Sequence, residues 1–167
     1  MPNAHPLMVL DGADAAPAEP HPLVRVLDAE DPFLAAALAV PHVAFATPRT
    51  AVGTPGPGEL ATVVGERAGE PPAAAERVRA GRTVLAAAVE DGAVLCSGMQ
   101  LPVGRVTEVA GVGTLPAARR RGLALAVTAA LVADAGTRGV DTVSSRRATT
   151  TWPGSTPASA SRAWRRR

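Results

Sequence analysis

Short apolar runs separated by turn-forming residues dominate the chain from residue 82 onward. Residues 83–89 and 93–97 are largely apolar and flank Glu90-Asp91-Gly92, a sequence that favours a tight turn. A third run follows at residues 105–115, and Pro116 ends it because proline cannot continue a hydrogen-bonded ladder. The pattern therefore predicts a hairpin followed by a third strand.

The period of the pattern changes after Arg120. Apolar side chains then recur at the three- and four-residue spacing of one helical face: Leu123, Val127, Ala130 and Leu131. Gly139 suits the end of that helix, and residues 140–143 begin another strand. A strand, a helix and a strand in this order predict one parallel βαβ crossover.

Before residue 82 the pattern predicts mainly helices. Residues 23–27 form a strand-like run, and Asp31-Pro32 then provides an N-cap and a proline at the first helical position, which opens a helix through Val40. Further helices are predicted over residues 59–68 and 73–80. The first 22 residues contain five prolines, which predicts a flexible leader. Residues 23–143 are thus expected to form one α+β, or mixed α/β, domain.

Charge is distributed unevenly along the 167 residues. Six arginines and no acidic residue follow Val143, whereas residues 1–143 hold 11 arginines against 15 acidic residues. The body is therefore acidic, and the net charge of +2 comes from the tail, residues 144–167. Because no apolar run approaches the ~20 residues of a membrane span and no secretion signal opens the chain, a cytoplasmic location is expected.

Histidine and cysteine carry no predicted chemistry. His5, His21 and His42 share no metal-ligand spacing, so no metal site is expected. Cys96, the single cysteine, lies in an apolar run and is expected in the core.

The candidate functional segment joins the third strand to the following helix. Three arginines and a glycine, Arg119-Arg120-Arg121-Gly122, stand where that helix begins. A helix N-terminus presents unpaired N–H groups and the positive end of the helix dipole, and a glycine lets the backbone approach an anion closely. The segment therefore predicts a phosphate or pyrophosphate site. It lacks the third glycine of a Rossmann motif, and the chain contains no lysine for a P-loop.

This segment resembles the pyrophosphate loop of the GNAT superfamily of acyl-CoA-dependent N-acetyltransferases, [QR]-x-x-G-x-[GA]. The match comprises Arg119, Arg120, Arg121, Gly122, Leu123 and Ala124, and the flanking strand and helix extend the resemblance to Val143. The resemblance implies a central, mostly antiparallel sheet with flanking helices, and acetyl-CoA as cosubstrate. It also implies that the loop amides bind pyrophosphate, that backbone groups near Val112 and Thr114 bind the pantetheine arm, and that Glu108 deprotonates the acceptor amine.

The tail departs from the family pattern. Family members continue with a helix that carries a tyrosine, commonly the general acid for the CoA thiolate, and end it with Leu-Gly-Phe, whereas this chain has no tyrosine. Codons read one base out of frame from Val143 onward permit a sequence of the expected kind, F-L-S-A-G-D-D-D-V-A-R-V-Y-A-R-L-G-F. We interpret residues 144–167 as out-of-frame translation. The hypothesis predicts a missing or disordered C-terminal part, a strand at residues 140–143 without its sheet neighbours, and impaired activity.

Three functions remain open from the sequence. The first is transfer of an acetyl group to an amine of a small molecule or peptide, with no nucleic-acid or membrane partner and with homodimer formation left open. The second is a noncatalytic protein that binds acyl-CoA or a partner. The third is a nucleic-acid-binding module that uses the basic tail.

Overall fold

One mixed sheet organises the chain. The structure, a computed structural model, describes residues 7–11, 19–47, 52–66, 71–146 and 165–166. Its strands are β1 (Leu7–Asp11), β2 (Val24–Leu27), β3 (Val84–Glu90), β4 (Ala93–Val103), β5 (Val106–Thr114), β6 (Thr142–Arg146) and β7 (Arg165–Arg166). Its helices are α1 (Leu34–Ala46), α2 (Pro57–Glu66), α3 (Pro71–Arg79) and α4 (Leu123–Thr137), with a 3-10 turn at Pro116–Ala118.

The strand order is β2-β3-β4-β5-β6-β1-β7. Only the β5–β6 pair is parallel among the described strands, and α4 connects its two members. This arrangement confirms the predicted α+β class, the mostly antiparallel sheet and the single βαβ crossover.

Helices cover both faces of the sheet. Alternate residues of β3 divide between two cores: Ala86 and Ala88 pack on the side of α4, whereas Leu85 and Ala87 pack on the side of α1. The α4 side is filled by one helical stripe, namely Leu123, Val127, Leu131 and Ala135. The stripe follows the predicted apolar period, although Ala130 is only partly buried. No described helix is both long and apolar enough to cross a membrane.

Helix α1 is longer than predicted. It continues past Val40 to Ala46 with Pro41 in its interior. Proline has no N–H, so the carbonyl of Ala37, four residues earlier, loses its helical donor. The hydroxyl of Ser97 on β4 donates to that carbonyl at 2.6 Å, which satisfies it within the buried interface. A tertiary contact therefore permits the proline that the local pattern reads as a stop.

Both ends of the chain correct the predicted domain boundaries. Residues 1–22 were predicted as a flexible leader, yet β1 lies within them and pairs with β6 over five residues. The predicted tail begins at residue 144, yet β6 continues to Arg146. This strand pairs with β5 on one side and with β1 on the other, so the prediction that the strand at residues 140–143 lacks sheet neighbours is wrong. The short strand β7 also lies in the tail and pairs with Met8 and Val9 of β1. The remaining leader and tail residues, 1–6, 12–18, 147–164 and 167, lie outside the described residues.

Candidate active site

Strands β5 and β6 pair only along the first half of β5. The pairs run from Val106 with Thr142 to Val109 with Ser145, and β6 ends at Arg146, the last residue of the described range 71–146. On its other side β5 contains a bulge, because Met99 pairs with Ala110 but Ser97 pairs with Gly113. Gly111, at the extra position, has a φ of +62°, a conformation that glycine adopts without strain. Among the described residues, positions 110–114 have no strand partner on the β6 side; we call them the open half of β5 and residues 106–109 its paired half.

A cavity of about 770 Å³ lies along this part of β5. Helix α1 contributes to it from one face of the sheet and α4 from the other. Its lining consists of Ala44, Phe45, Thr47, Val109, Ala110, Gly111, Val112, Gly113, Thr114, Arg119, Ala124, Thr128 and Ser145.

Close packing of α1 on β5 shapes the cavity and depends on Gly113. A Cβ atom at this position would lie 3.0 Å from Cβ of Ala44 and 3.2 Å from Cα of Pro41. The Pro41 atom belongs to a helix backbone and cannot move aside independently. Gly113 therefore sets the distance between the helix and the open half of the strand.

Arg119, predicted to bind pyrophosphate, ties the cavity walls together. Its guanidinium donates to the carbonyls of Ala44 at 2.9 Å, Thr47 at 3.4 Å and Thr114 at 3.4 Å. Two of these carbonyls lie at the end of α1, where helical carbonyls lack internal donors. The arginine thus joins the end of α1 to the end of β5.

Arg121 is held by a different contact. It makes two hydrogen bonds with the carboxylate of Glu90, of 2.8 and 2.7 Å, and this arginine holds the pKa of Glu90 below its usual range. We call Arg119-Arg120-Arg121-Gly122 the arginine loop. Because Glu90 ends β3, the pair ties this loop to the β3–β4 turn. Both groups are partly exposed, so the pair contributes little to stability.

Arg120 projects from the same loop without a contact of this kind. Its side chain is exposed and makes no hydrogen bond or ion pair with the described part of the chain. Its φ is +69°, and that of Gly122 is +76°, so the loop turns twice through the left-handed region before α4 begins. Left-handed backbone costs a non-glycine residue about 1–2 kcal/mol, and such cost is concentrated at functional sites.

The first turn of α4 faces the same region. Gly122 is its N-cap and offers no side-chain cap, so the N–H groups of Leu123 and Ala124 have no intrahelical acceptor. Ala124 lines the cavity, whereas the side chain of Leu123 is buried in the core. Only the backbone of Leu123 is therefore available to a ligand.

Glu108 lies on the paired half of β5. Its Cα partners are Leu101 on β4 and Ser144 on β6, and its side chain is half-buried. It precedes the first lining residue of β5, Val109, and is not itself part of the lining. Of the predicted residues, the lining includes Val112, Thr114, Arg119 and Ala124, and it leaves out Glu108, Arg120, Arg121, Gly122 and Leu123.

Cys96 lies in the core, as predicted. The hydroxyl of Thr114 donates to its sulfur at 3.2 Å, but burial dominates and raises the pKa of the thiol to about 11. A protonated thiol is a poor nucleophile, so Cys96 has no covalent chemistry to offer at neutral pH.

Sequence reasoning missed the wall that α1 supplies. Ala44, Phe45 and Thr47 lie beyond Val40, where the predicted helix ends. Ser145 was assigned to the tail, although it lines the cavity from β6. The apolar content of residues 43–46 could have indicated a continuing helix, but no local signal pointed to the donor on β4 that Pro41 requires.

No protein-family model matches the chain, and no curated protein matches it. Several solved structures share its fold. A putative GNAT acetyltransferase from Novosphingobium aromaticivorans is 21% identical with a TM-score of 0.58, covering 98% of this chain and 60% of its own. An aminoglycoside acetyltransferase from an uncultured soil metagenomic sample is 19% identical with a TM-score of 0.58, covering 77% of this chain and 80% of its own. A predicted acetyltransferase from Clostridium acetobutylicum, solved with acetyl-CoA, is 14% identical with a TM-score of 0.50. The match covers 81% of this chain and 90% of its own.

These likenesses establish that the chain has the GNAT fold, which confirms the resemblance predicted from the arginine loop. The chain spans only 60% of the length of the Novosphingobium protein. At such low identity the comparisons show the fold alone and identify neither a reaction nor an acceptor for this chain.

Proposed function

We propose that this protein transfers an acetyl group from acetyl-CoA to an amine. The observation that carries the proposal is the cavity along residues 109–114 of β5, which the first turn of α4 also lines. It brings a strand edge that has no partner among the described residues together with a helix start that has no side-chain cap. The GNAT fold of the chain supports the same activity.

The open half of β5 suits the pantetheine arm. This arm is an extended chain with amide groups, and such chains bind by adding to an unpaired strand edge. Val112 and Thr114 lie in the open half and line the cavity, so their backbone groups are the proposed partners. Gly111 and Gly113 keep bulk away from the same edge.

The phosphates are assigned to the start of α4. The N–H groups of Leu123 and Ala124 point out of the helix N-terminus, where the helix dipole favours an anion. Arg120 supplies a cation that has no partner in the described part of the chain. Arg119 adds positive potential while its guanidinium holds α1, and Arg121 contributes its backbone while its side chain pairs with Glu90.

The reaction exchanges one bond for another. The amine nitrogen attacks the thioester carbonyl, a C–N bond forms, the C–S bond breaks, and the products are an acetamide and CoA. Glu108, three residues before the bulge, is the proposed base that accepts the amine proton directly or through water. That proton balances the one taken up by the departing thiolate. Because the chain has no tyrosine to act as the acid, we expect slow turnover.

Calorimetric titration with acetyl-CoA tests the assignment of the cavity. We expect saturable binding to the wild-type protein, and for Arg120→Ala roughly tenfold weaker binding at low ionic strength, since one charge-assisted contact to phosphate is lost. Alanine at this position retains the left-handed backbone cost, so the variant isolates the charge. Arg82→Ala is the matched control, because it removes an exposed arginine at the opposite end of β3 from Glu90.

Absence of acetyl-CoA binding to the wild-type protein at millimolar concentration would refute the proposal. Equal weakening by the Arg120 and Arg82 variants would refute the placement of the phosphates. Tight binding without acetyl transfer to any amine would instead identify a noncatalytic acyl-CoA-binding protein, an alternative that the missing tyrosine supports.

A further inference from the structure

Phe45 stands out among the residues that line the cavity. It lies near the end of α1 and is 63% exposed, although the two residues before it, Val43 and Ala44, are buried. It is the sole aromatic residue among the described lining residues. A large apolar side chain therefore stands at the mouth of the cavity rather than in the core.

This placement contrasts with the scarcity of aromatic residues. The chain has two phenylalanines, two tryptophans and no tyrosine, and the described buried core contains no aromatic side chain. Phe33 packs partly against the α1 core, with Arg25 5.5 Å from its ring centroid. Burial of a phenylalanine side chain stabilises a fold, and the exposed Phe45 forgoes much of that gain.

The backbone around Phe45 is held in place. Arg119 binds the carbonyls of Ala44 and Thr47, one on each side of Phe45 along the chain. Ala44 also packs against Gly113 at the closest approach of α1 to β5. The aromatic ring thus projects from a fixed position, as preorganised binding surfaces do.

The α4 side and the α1 side of the cavity carry different chemical groups. On the α4 face lie the uncapped helix N-terminus and Arg120, which suit phosphate. On the α1 face lie Phe45 and Ala44, which offer apolar surface. If the cofactor phosphates occupy the α4 side, the α1 side is left for the acceptor.

Building on the proposed acetyl transfer, we infer that Phe45 forms the apolar wall of the acceptor site and selects amines that carry an aromatic or bulky apolar group close to the amino group. The ring of such an acceptor stacks on or meets the edge of Phe45, a contact that contributes about 0.5–1.5 kcal/mol beyond the buried area. The amino group then reaches the thioester carbonyl within the cavity along β5.

Binding of two amines of equal charge tests this inference. The probes are 2-phenylethylamine and n-butylamine, titrated by ligand-observed NMR against the full chain loaded with CoA. We expect the wild-type protein to bind 2-phenylethylamine about tenfold more tightly, since stacking and burial of the ring together approach the required 1.4 kcal/mol. Phe45→Ala should reduce the preference to about twofold, and Phe45→Tyr should retain it.

The control variant is Val103→Ala at the β4–β5 turn. It removes an exposed apolar side chain, 78% exposed, that does not line the cavity, and should leave the preference unchanged. CoA affinity, measured in parallel by calorimetry, should stay within about twofold of wild type in all three variants.

The outcomes separate this inference from the proposed function. Failure of the wild-type protein to bind CoA would overturn both. Normal CoA binding without an aromatic preference, or with a preference that survives Phe45→Ala, would overturn only the role of Phe45. A large loss of CoA affinity in Phe45→Ala would also overturn it, because the ring would then contact the cofactor.

Discussion

The two halves of β5 both pair with β4 but differ on their other side. From Val106 to Val109 the strand pairs on both sides, and Thr107 and Val109 are each 1% exposed. Beyond the bulge at Gly111 it pairs, among the described strands, only with β4 and borders the cavity. The first half therefore stabilises the fold, and the second half keeps backbone groups available to a ligand. One inserted residue marks the boundary, which shows how a sheet can contain a binding edge without an exposed edge strand.

A larger side chain at Gly113 should cause the largest loss of stability and of acetyl-CoA binding. We expect Gly113→Val to clash with Ala44 and Pro41, to destabilise the protein by about 3 kcal/mol, and to lower the melting temperature by roughly 5–10 °C. Acetyl-CoA binding should be lost as well, because α1 would move away from the strand. Differential scanning calorimetry and isothermal titration measure the two effects.

Gly136→Ala provides the control for that substitution. Gly136 lies in α4, and a Cβ atom there meets no atom within 4 Å. Alanine should stabilise the helix by up to about 1 kcal/mol. A melting temperature that falls equally in both variants would argue against the close packing of α1 on the open half.

Removal of Arg119 should separate stability from cofactor binding. Arg119→Ala loses the donors to the carbonyls of Ala44, Thr47 and Thr114, and we expect a cost of about 2 kcal/mol in urea unfolding. Arg119→Lys should recover little of it, because a single ammonium cannot reproduce the planar fork. Arg120→Ala should show the reverse pattern, with near-normal stability and weaker acetyl-CoA binding. Unchanged unfolding of Arg119→Ala would contradict the structural role of this arginine.

The smallest change in stability is expected in the paired half of β5, and there the substitution should stabilise the protein. The hydroxyl of Thr107 is buried without a hydrogen-bond partner among the described residues. Replacing it by a methyl group in Thr107→Val should stabilise the protein by about 1 kcal/mol and raise the melting temperature by roughly 2–4 °C. Acetyl-CoA affinity should not change. A destabilised variant would indicate that the hydroxyl has a partner, and would weaken the contrast between the two halves.

Much of the fold could be predicted because its elements have local signals. The strands and helices from Val84 to Thr137 follow the alternation, periodicity and turn residues that the sequence displays. The failures share one cause, which is a partner distant in sequence. Pro41 stays inside α1 because Ser97 supplies the missing donor, and β6 extends to Arg146 between β5 and the N-terminal strand β1.

The candidate site was predicted in part for the same reason. The arginine loop and the backbone near Val112 and Thr114 were expected, since a strand, a glycine and a helix start are consecutive in the sequence. The different contacts of the three arginines, Arg119, Arg120 and Arg121, were not expected. Arg119 turns to α1 and Arg121 turns to Glu90 only because the fold brings those acceptors near. No pattern in the sequence indicated that Phe45 would reach the cavity.

The sequence by itself determined the order of strands and helices from Val84 to Thr137 and the single parallel crossover, and it predicts an anion site at the loop before α4. These depend on side-chain period, turn chemistry and backbone donors, all of which act over a few residues. Tertiary structure alone decided how far β6 pairs with β5, which arginines of the loop bind other parts of the chain, and which side chain of α1 stands at the cavity mouth. Those features depend on contacts between residues tens of positions apart, such as Arg119 with Ala44, and local patterns do not encode which partners meet.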